Sequence, residues 1–159
     1  MSEREPDPRV AEFVERLKRL EAGARARLKR NAGLSLAESR DALGLLYRLL
    51  PSGVQPYQEE TFFMAATLFP LADGGGSGDL GNALRRARRP KNAKGLDRRV
   101  ERLLDADESQ LPFRLRQAIR FLRSCRVRVN WPRLLDDLLA WNHPGRFVQE
   151  HWARSYFAD

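Results

Sequence analysis

Nine lysines and arginines stand between Arg85 and Arg102, in a stretch that has only two acidic residues, Asp97 and Glu101. This stretch has a net charge of +7, while the whole chain has a net charge of +8. Cations concentrated in one place give a protein the positive field that attracts phosphate groups. A single charged run is most often a solvated surface, so this one indicates nucleic-acid binding only together with a second feature.

A second basic stretch supplies that feature. From Ser109 to Leu135 the chain has seven arginines and no aspartate or glutamate. The guanidinium group binds phosphate bidentately and stacks on bases, although a GC-rich or heat-loving source also favours arginine over lysine. No alternation of aromatic and basic residues is present, so we expect contacts to phosphates that are salt-sensitive and independent of sequence.

Motifs for catalysis or metal binding are not evident. The glycines at 74–76 and 78 lack the Lys-Ser/Thr and the preceding strand of a phosphate-binding loop. His143 and His151 lack the i, i+4 spacing of metal ligands, and the single cysteine, Cys125, completes no zinc set. The acidic residues near 105–108 and 136–137 fall at expected helix starts, where carboxylates are favoured. We expect Cys125 to be a buried structural thiol and the chain to be no enzyme, with no metal or cofactor.

The elements that must position the cations are helices, because apolar residues recur at spacings of three and four along the chain. One long first helix is predicted over residues 8–30, with basic last turns. Ser35 and Glu38 form a capping box that predicts a second helix to about residue 50. The expected apolar face of this helix consists of Leu43, Leu46, Tyr47 and Leu50.

Further helices are predicted over about 56–69, 79–87, 96–106, 111–125, 131–141 and 147–157. Asn130 is the predicted cap of the helix at Trp131, and the three tryptophans are predicted to be core residues. We expect an all-α fold of about seven or eight helices in a single domain over 1–159. The alternative is two lobes, 8–71 and 96–159, joined by a flexible glycine-rich stretch at 72–78 and a basic loop at 88–95.

No apolar stretch reaches the ~20 residues that a membrane span requires. The amino terminus, MSEREPDPRV, is charged and contains proline, which predicts no signal peptide. We therefore expect a cytoplasmic protein without a membrane partner.

Seven segments, taken in order, carry a family resemblance. They are ARLKR at 26–30, ESRDALGLLYRLLP at 38–51, FFMAATLFPLA at 62–72, SGDLGNALRRA at 77–87, LDRRVERLLDAD at 96–107, LPFRLRQAIRFLRS at 111–124 and VNWPRLLDDLLAWNHP at 129–144. Together they resemble the small subunit of the type I-E CRISPR surveillance complex (Cascade), the CasB family, over nearly the whole chain.

The resemblance implies a non-catalytic helical subunit that is present as a pair in a larger ribonucleoprotein. Its partners would be the crRNA, the target DNA, the other Cascade subunits and a second copy of itself. Its basic surface would support the guide–target hybrid and the displaced DNA strand. Lys29 and Arg30 match a basic pair after the first helix of the family, Arg98 and Arg99 match its paired arginines, and Arg116 matches a Leu-Arg in the following helix.

The candidate nucleic-acid-binding residues are the cations of the two basic stretches and of the end of the first helix. They are Arg27, Lys29, Arg30, Arg85, Arg86, Arg88, Arg89, Lys91, Lys94, Arg98, Arg99, Arg102, Arg116, Arg120, Arg123, Arg126 and Arg128. The alternatives that the sequence leaves open are a free-standing DNA- or RNA-binding helical protein, a small nuclease and a peripheral membrane protein.

Overall fold

The computed structural model describes residues 7–39 and 41–159, so the first six residues of the charged amino terminus and residue 40 of the predicted second helix lie outside it. Within these ranges the regular structure consists of nine α-helices, three 3₁₀ turns and an isolated bridge between Gly74 and Val129. None of the described helices is long and apolar enough to cross a bilayer. The all-α prediction is confirmed. The helices are α1 (Pro8–Lys18), α2 (Ala22–Arg30), α3 (Leu43–Leu49), α4 (Glu59–Leu68), α5 (Leu80–Ala87), α6 (Ala93–Leu104), α7 (Leu111–Ser124), α8 (Trp131–Leu139) and α9 (Phe147–Phe157).

The predicted first helix is two helices, α1 and α2, so the prediction of one continuous helix is wrong. The N–H of Arg19 donates to the carbonyls at the end of α1, and Glu21 has an extended backbone. α1 packs against α8 and α3, whereas α2 packs against α4 and the 3₁₀ turn Phe69–Leu71. The chain turns between them because the two helices bury their apolar faces against different elements.

The predicted second helix is also wrong in its extent. The N–H and the hydroxyl of Ser35 donate to Glu38 at 3.0 and 2.9 Å, but this capping box closes only the 3₁₀ turn Leu36–Glu38. The hydroxyl of the buried Ser39 then donates to the Ser35 carbonyl at 2.8 Å, and the next helix, α3, begins at Leu43. A local side-chain bond therefore competes with continuation of the helix.

The apolar face of α3 also differs from the predicted face. Leu46 is fully buried as predicted, but Leu43 and Tyr47 are 37% and 50% exposed. Leu45 and Leu49 are buried in their place. Since α3 has only seven residues and contacts α1, the residues that reach α1 form its buried stripe.

α4 lies in the centre of the core and is apolar on nearly all sides. Its buried residues include Phe62 and Phe63, and it contacts α2, α7 and α8. Phe62 meets Phe13 of α1 edge to face with ring centroids 5.0 Å apart, a favoured geometry for two aromatic rings. α8 also contacts α1, so helices from both ends of the chain bury their apolar faces in the same core.

The glycine-rich stretch is packed against other parts of the backbone. A Cβ atom at Gly76 would overlap the Arg128 carbonyl, and one at Gly81 would overlap the Trp152 carbonyl. The N–H of Gly76 donates to Val129 at 3.2 Å. Glycine is needed here because the backbones approach closely. The close contact between Gly81 and Trp152 lets α5 pack against α9, and this packing fixes the position of the first arginines of the basic run.

The second half of the chain contains the predicted helices, including the one with the predicted cap Asn130. Asp79 accepts the N–H of Asn82 at the start of α5, and Asn130 accepts the N–H of Arg133 at the start of α8. α6 begins at Ala93 rather than at 96, so the last residues of the predicted basic loop are helical. The prediction that the three tryptophans are core residues is confirmed, since each is at most 4% exposed: Trp131, Trp141 and Trp152.

Candidate nucleic-acid interface

The first part of the basic run, Arg85–Arg89, is bound to neighbouring backbone and to the carboxylates of Asp97 and Asp159. Arg85 donates to the carbonyl of Tyr156 in α9 at 3.1 Å, and Arg86 donates to the carbonyl of Ser77 at 3.0 Å. Arg89 donates to two carbonyls at the end of α5 at 2.7 and 2.8 Å. Arg85 and Arg89 thereby satisfy carbonyl groups that the ends of α9 and α5 leave without partners, whereas the carbonyl bound by Arg86 lies in the loop before α5.

Arg88 is held most firmly. It forms a two-pronged ion pair with Asp97 of α6, with N–O distances of 3.0 and 3.2 Å, and the hydroxyl of Tyr156 donates to the same carboxylate at 2.6 Å. The bond to Arg88, with that from Tyr156, lowers the pKa of Asp97. Burial, together with the bond to Asp97, raises the pKa of Tyr156. This cluster joins α5, α6 and α9.

The second part of the run has a different environment. Lys91, Lys94, Arg98 and Arg102 are exposed, and none of these side chains has a hydrogen-bond or ion-pair partner among the described residues. The last three recur every four residues, so they share one face of α6. Asp97 lies on an adjacent flank of the helix, where it contacts Tyr156 of α9. We call Lys94, Arg98, Arg99 and Arg102 the α6 face.

A groove of about 590 Å³ separates α6 from α7 and borders the α6 face. Arg99 and Arg102 line one wall and Arg114 of α7 lines the other, where its guanidinium donates to the Arg102 carbonyl. Arg99 also lies over the ring of Phe121, 5.9 Å from its centroid. Arg114 was missed by the sequence analysis, although it belongs to the acid-free stretch that pointed to this helix.

Three candidate arginines of α7, which we call the α7 stripe, lie on the flank away from α6: Arg116, Arg120 and Arg123. Arg116 is half-buried beside Gly33, which follows α2, while Arg120 and Arg123 are exposed. Arg123 pairs with Asp73 at 2.9 Å, and Arg120 has no such partner among the described residues. α7 therefore separates two groups of cations, one on the α6 side and one on the α2 side.

The cations of α2 are distributed around the end of that helix. Lys29 and Arg30 are exposed, and Arg27 is half-buried. Arg30 lies 3.5 Å from Asp41, which also accepts a bond from the buried Asn31. The contact of Arg116 with the turn after α2 brings this helix end next to the α7 stripe.

Three arginines meet at the end of α7. A cavity of about 360 Å³ is lined by Arg123, Arg126 and Arg128, with Asp73 as its one acidic residue. Arg126 has a left-handed backbone, with φ of 59°, which reverses the chain after the helix. The structure thus divides the arginines among three clusters: those beside the α6–α7 groove, those on the α2 side of α7 and those at the end of α7.

Cys125 and His143 have different local environments. The prediction that Cys125 is buried is wrong, because this cysteine follows the last turn of α7 and is exposed. His143 is a turn residue, since its Nδ1 accepts the N–H of Gly145 at 3.0 Å. Within the described ranges, no group of three or more His, Cys, Asp or Glu side chains is arranged to hold a metal ion.

The sequence profile of the family described as CRISPR-associated protein Cse2 matches residues 24–157. The chain belongs to the Cse2 family. A Cse2 protein from Thermus thermophilus is 32% identical over 157 residues, which cover 96% of this chain and 90% of that protein. The resemblance to the CasB small-subunit family is thereby confirmed.

Solved structures agree with this Cse2 assignment. The crystal structure of CasB from Thermus thermophilus matches with a TM-score of 0.82 at 30% identity, covering 94% of this chain and 98% of that one. A chain from a CRISPR RNA-guided surveillance complex matches with a TM-score of 0.76 at 24% identity, covering 93% and 91%. At that identity the second match shows that the Cse2 fold is shared.

Proposed function

We propose that this chain is a non-catalytic small subunit of a CRISPR surveillance complex that grips nucleic-acid backbones. In this role it binds the phosphates of the guide–target hybrid and of the displaced DNA strand, and so stabilises the R-loop. Its partners are the crRNA, the target DNA, the other Cascade subunits and a second copy of itself, in the cytoplasm. Family membership and the fold shared with a chain of a surveillance complex support the assembly.

The observation that carries the proposal is the exposed and unpaired state of Lys94, Arg98 and Arg102 on the α6 face, judged among the described residues. Three cations four residues apart present a linear array that matches a phosphate backbone better than a single point charge does. Arg99 and Arg114 extend the array across the neighbouring groove. Their side chains end in donors, so they suit acceptor oxygens.

The three tryptophans are buried, so they are not available to stack on bases. Contacts made through phosphates carry no sequence information. This property suits a subunit that must accept any guide, because base pairing between guide and target supplies the specificity and protein contacts to the backbone tip a nearly balanced strand exchange.

The first experiment is a fluorescence-anisotropy titration of labelled single-stranded DNA, duplex DNA and RNA at several salt concentrations. The wild-type chain is compared with a variant that carries Lys94→Gln, Arg98→Gln and Arg102→Gln. For duplex DNA we expect the slope of log K against log salt to become shallower by about 2 to 3, since each phosphate contact contributes about 0.9.

The matched control removes three exposed charges elsewhere, with Lys18→Gln, Arg19→Gln and Arg48→Gln on and next to α1 and α3. Equal losses in both variants would mean that binding follows net charge alone and would overturn the assignment to α6. Magnesium is included and the oligonucleotides are checked afterwards, because cut products would favour the nuclease alternative.

The assembled complex tests the role in the R-loop. Complexes reconstituted with and without the chain are compared for the lifetime of the R-loop on a matched target. A shorter lifetime without the chain, restored by the wild type and not by the α6 variant, is the expected result. Tight nucleic-acid binding by a chain that never joins the complex would instead favour the free-standing alternative.

A further inference from the structure

A second groove of about 590 Å³ differs from the α6–α7 groove in the charge of the side chains that line it. It is formed by the turn after α2, the start of α4, the start of α7 and the end of α8. Its apolar floor includes Leu111, Leu138 and Trp141, which are at most 4% exposed. At its rim Tyr57 is 82% exposed and Leu34 is 36% exposed.

The charges around this groove have one sign. Glu38, Glu60 and Glu108 line it, and its lining includes no lysine or arginine among the described residues. The α6–α7 groove and the cavity at the end of α7 are each lined by three arginines. In a chain with a net charge of +8, one groove is therefore acidic while the two others are basic.

The three carboxylates are held in place by hydrogen bonds from neutral groups, and no cation of the described residues neutralises their charge. Glu38 accepts bonds from Ser35, Glu60 accepts the N–H of Leu36 at 3.2 Å, and Glu108 accepts a bond from Asn142. None of them forms an ion pair with a described residue. Each partner is neutral, so the negative charge is oriented by the fold and stays available to a cation from outside.

An acidic, partly apolar groove is unsuited to nucleic acid, because carboxylates repel phosphates. It fits a basic polypeptide. An exposed tyrosine at the rim of an apolar floor has the character of an interface anchor, and tyrosine is enriched among residues that dominate binding energy. Carboxylates at such a rim select partners by charge.

We propose that this groove docks a polypeptide segment of another subunit, one that presents lysine or arginine beside a large apolar side chain. The apolar side chain packs on Leu138 and Trp141, and the cation meets Glu60 and Glu108. The inference rests on the proposed assembly into a surveillance complex. It assigns different partners to different surfaces of the chain, with nucleic acid on the basic clusters and protein at this groove.

The test is incorporation into the complex reconstituted with guide RNA and the other subunits. Glu60→Lys with Glu108→Lys is expected to weaken retention of the chain at least about tenfold, because like charges then face the docked cation. Glu60→Gln with Glu108→Gln keeps both hydrogen-bond acceptors and is expected to give an intermediate loss. The added positive charge strengthens attraction to nucleic acid, so weaker retention cannot come from weaker nucleic-acid binding.

The matched control is Glu12→Lys with Glu15→Lys on α1, which adds the same charge on an exposed helix face outside the groove. Normal retention of this control and unchanged melting temperatures for all variants are expected. Normal retention of the groove variants would overturn the inference. Failure of the wild-type chain to join the complex would instead overturn the proposed function.

A photo-crosslinking residue in place of Tyr57 identifies the occupant. In the assembled complex we expect a crosslink to a protein segment with lysine or arginine next to an apolar residue. The same crosslinker in place of Phe157, which is 41% exposed at the end of α9, is the positional control. A crosslink from position 57 to nucleic acid or to an acidic segment, or no crosslink in an intact complex, would overturn the inference.

Discussion

The two parts of the basic run differ in environment although they look alike in sequence. Arg85–Arg89 donate to carbonyls and to Asp97, which ties α5 to α6 and α9. Lys94, Arg98 and Arg102 extend from α6 into solvent without partners among the described residues. The first part stabilises the fold, and the second part is free to bind phosphate.

The position of the α5 end explains this difference. The last carbonyls of a helix lack partners within the helix and attract cations. At the end of α5 the arginines also meet a carboxylate of α6 and the main chain of α9. Lys94 and Arg98 lie away from the open carbonyls at the end of α6. At that end, Arg114 and Arg146 donate to the carbonyls of Arg102 and Leu104, so the Arg102 side chain is left unpaired among the described residues. A count of cations in a sequence therefore overstates the charge that a ligand meets.

The largest expected effect comes from reversing two charges on the α6 face. Arg98→Glu with Arg99→Glu is expected to weaken nucleic-acid binding about a hundredfold, since each change costs roughly tenfold, or about 1.4 kcal/mol. The melting temperature is expected to stay within about 2 °C, because both side chains are exposed and Arg99 loses only a ring contact. Anisotropy and thermal unfolding of the same preparation measure the two quantities.

For the first part of the basic run we expect the opposite result, namely lower thermal stability with nearly unchanged nucleic-acid affinity. Arg85→Gln with Arg88→Gln is expected to lower the melting temperature and to change nucleic-acid affinity by less than about threefold. If both variants lose affinity equally, the division of the run into two parts is wrong. If the α6 variant melts many degrees lower, those arginines are structural.

A smaller effect is expected from Tyr156→Phe. Tyr156 is fully buried and its hydroxyl donates to Asp97 at 2.6 Å. Loss of this bond is expected to reduce the free energy of unfolding by about 1–2 kcal/mol. Urea denaturation measures the loss, and nucleic-acid affinity is expected to be unchanged. A variant with normal stability and weaker binding would place this cluster at the interface.

Much of the helical fold could be predicted from local signals. Asn130 caps the helix that it was expected to cap, since capping depends on residues a few positions apart. The helix predicted over 79–87 is present as α5, and Asp79 caps it. The break between α1 and α2 has no comparable signal. It arises because α2 packs on α4, and α4 is more than thirty residues further along the chain.

The sequence indicated which cationic residues are candidates for the site, but it did not indicate which of them have hydrogen-bond or ion-pair partners in the fold. Sequence placed Arg88 and Arg98 in the same run, but only the fold brings Asp97 and Tyr156 to Arg88. Arg114 was overlooked because its role depends on the groove between two helices. Cys125 was expected to be a buried structural thiol because nothing near it in the sequence forms a reactive Cys/His pair, yet it follows a helix end at the surface.

The Arg88–Asp97 pair also predicts a pH dependence. Asp97→Asn is expected to lower the melting temperature by about 2–4 °C at pH 7. Since the folded pKa of Asp97 lies below its ordinary value of 3.8, ionised Asp97 stabilises the fold above that pH, and the stabilisation disappears as pH falls through the folded pKa. The difference between wild type and variant is therefore expected to be constant from pH 5 to 7 and to shrink below pH 4. A difference that grows on acidification would contradict the assigned pairing.

The smallest expected change in nucleic-acid affinity comes from removing the carboxylate that pairs with an arginine, so that the arginine becomes available to phosphate. Arg123 is paired with Asp73 at 2.9 Å, and both side chains are mostly exposed. Asp73→Asn removes the carboxylate that lines the arginine cavity at the end of α7. Nucleic-acid affinity is expected to rise about two- to threefold at low salt and to converge with the wild type at high salt, because the gain is electrostatic.

The paired change Asp41→Asn near Arg30 provides the comparison on α2, where the ion pair is longer, at 3.5 Å. If Asp73→Asn raises affinity and Asp41→Asn does not, the binding surface includes the end of α7 and excludes the end of α2. If neither raises affinity, the α6 face alone binds the phosphates. The acidic partners of the arginines therefore map the edge of the interface as directly as the arginines do.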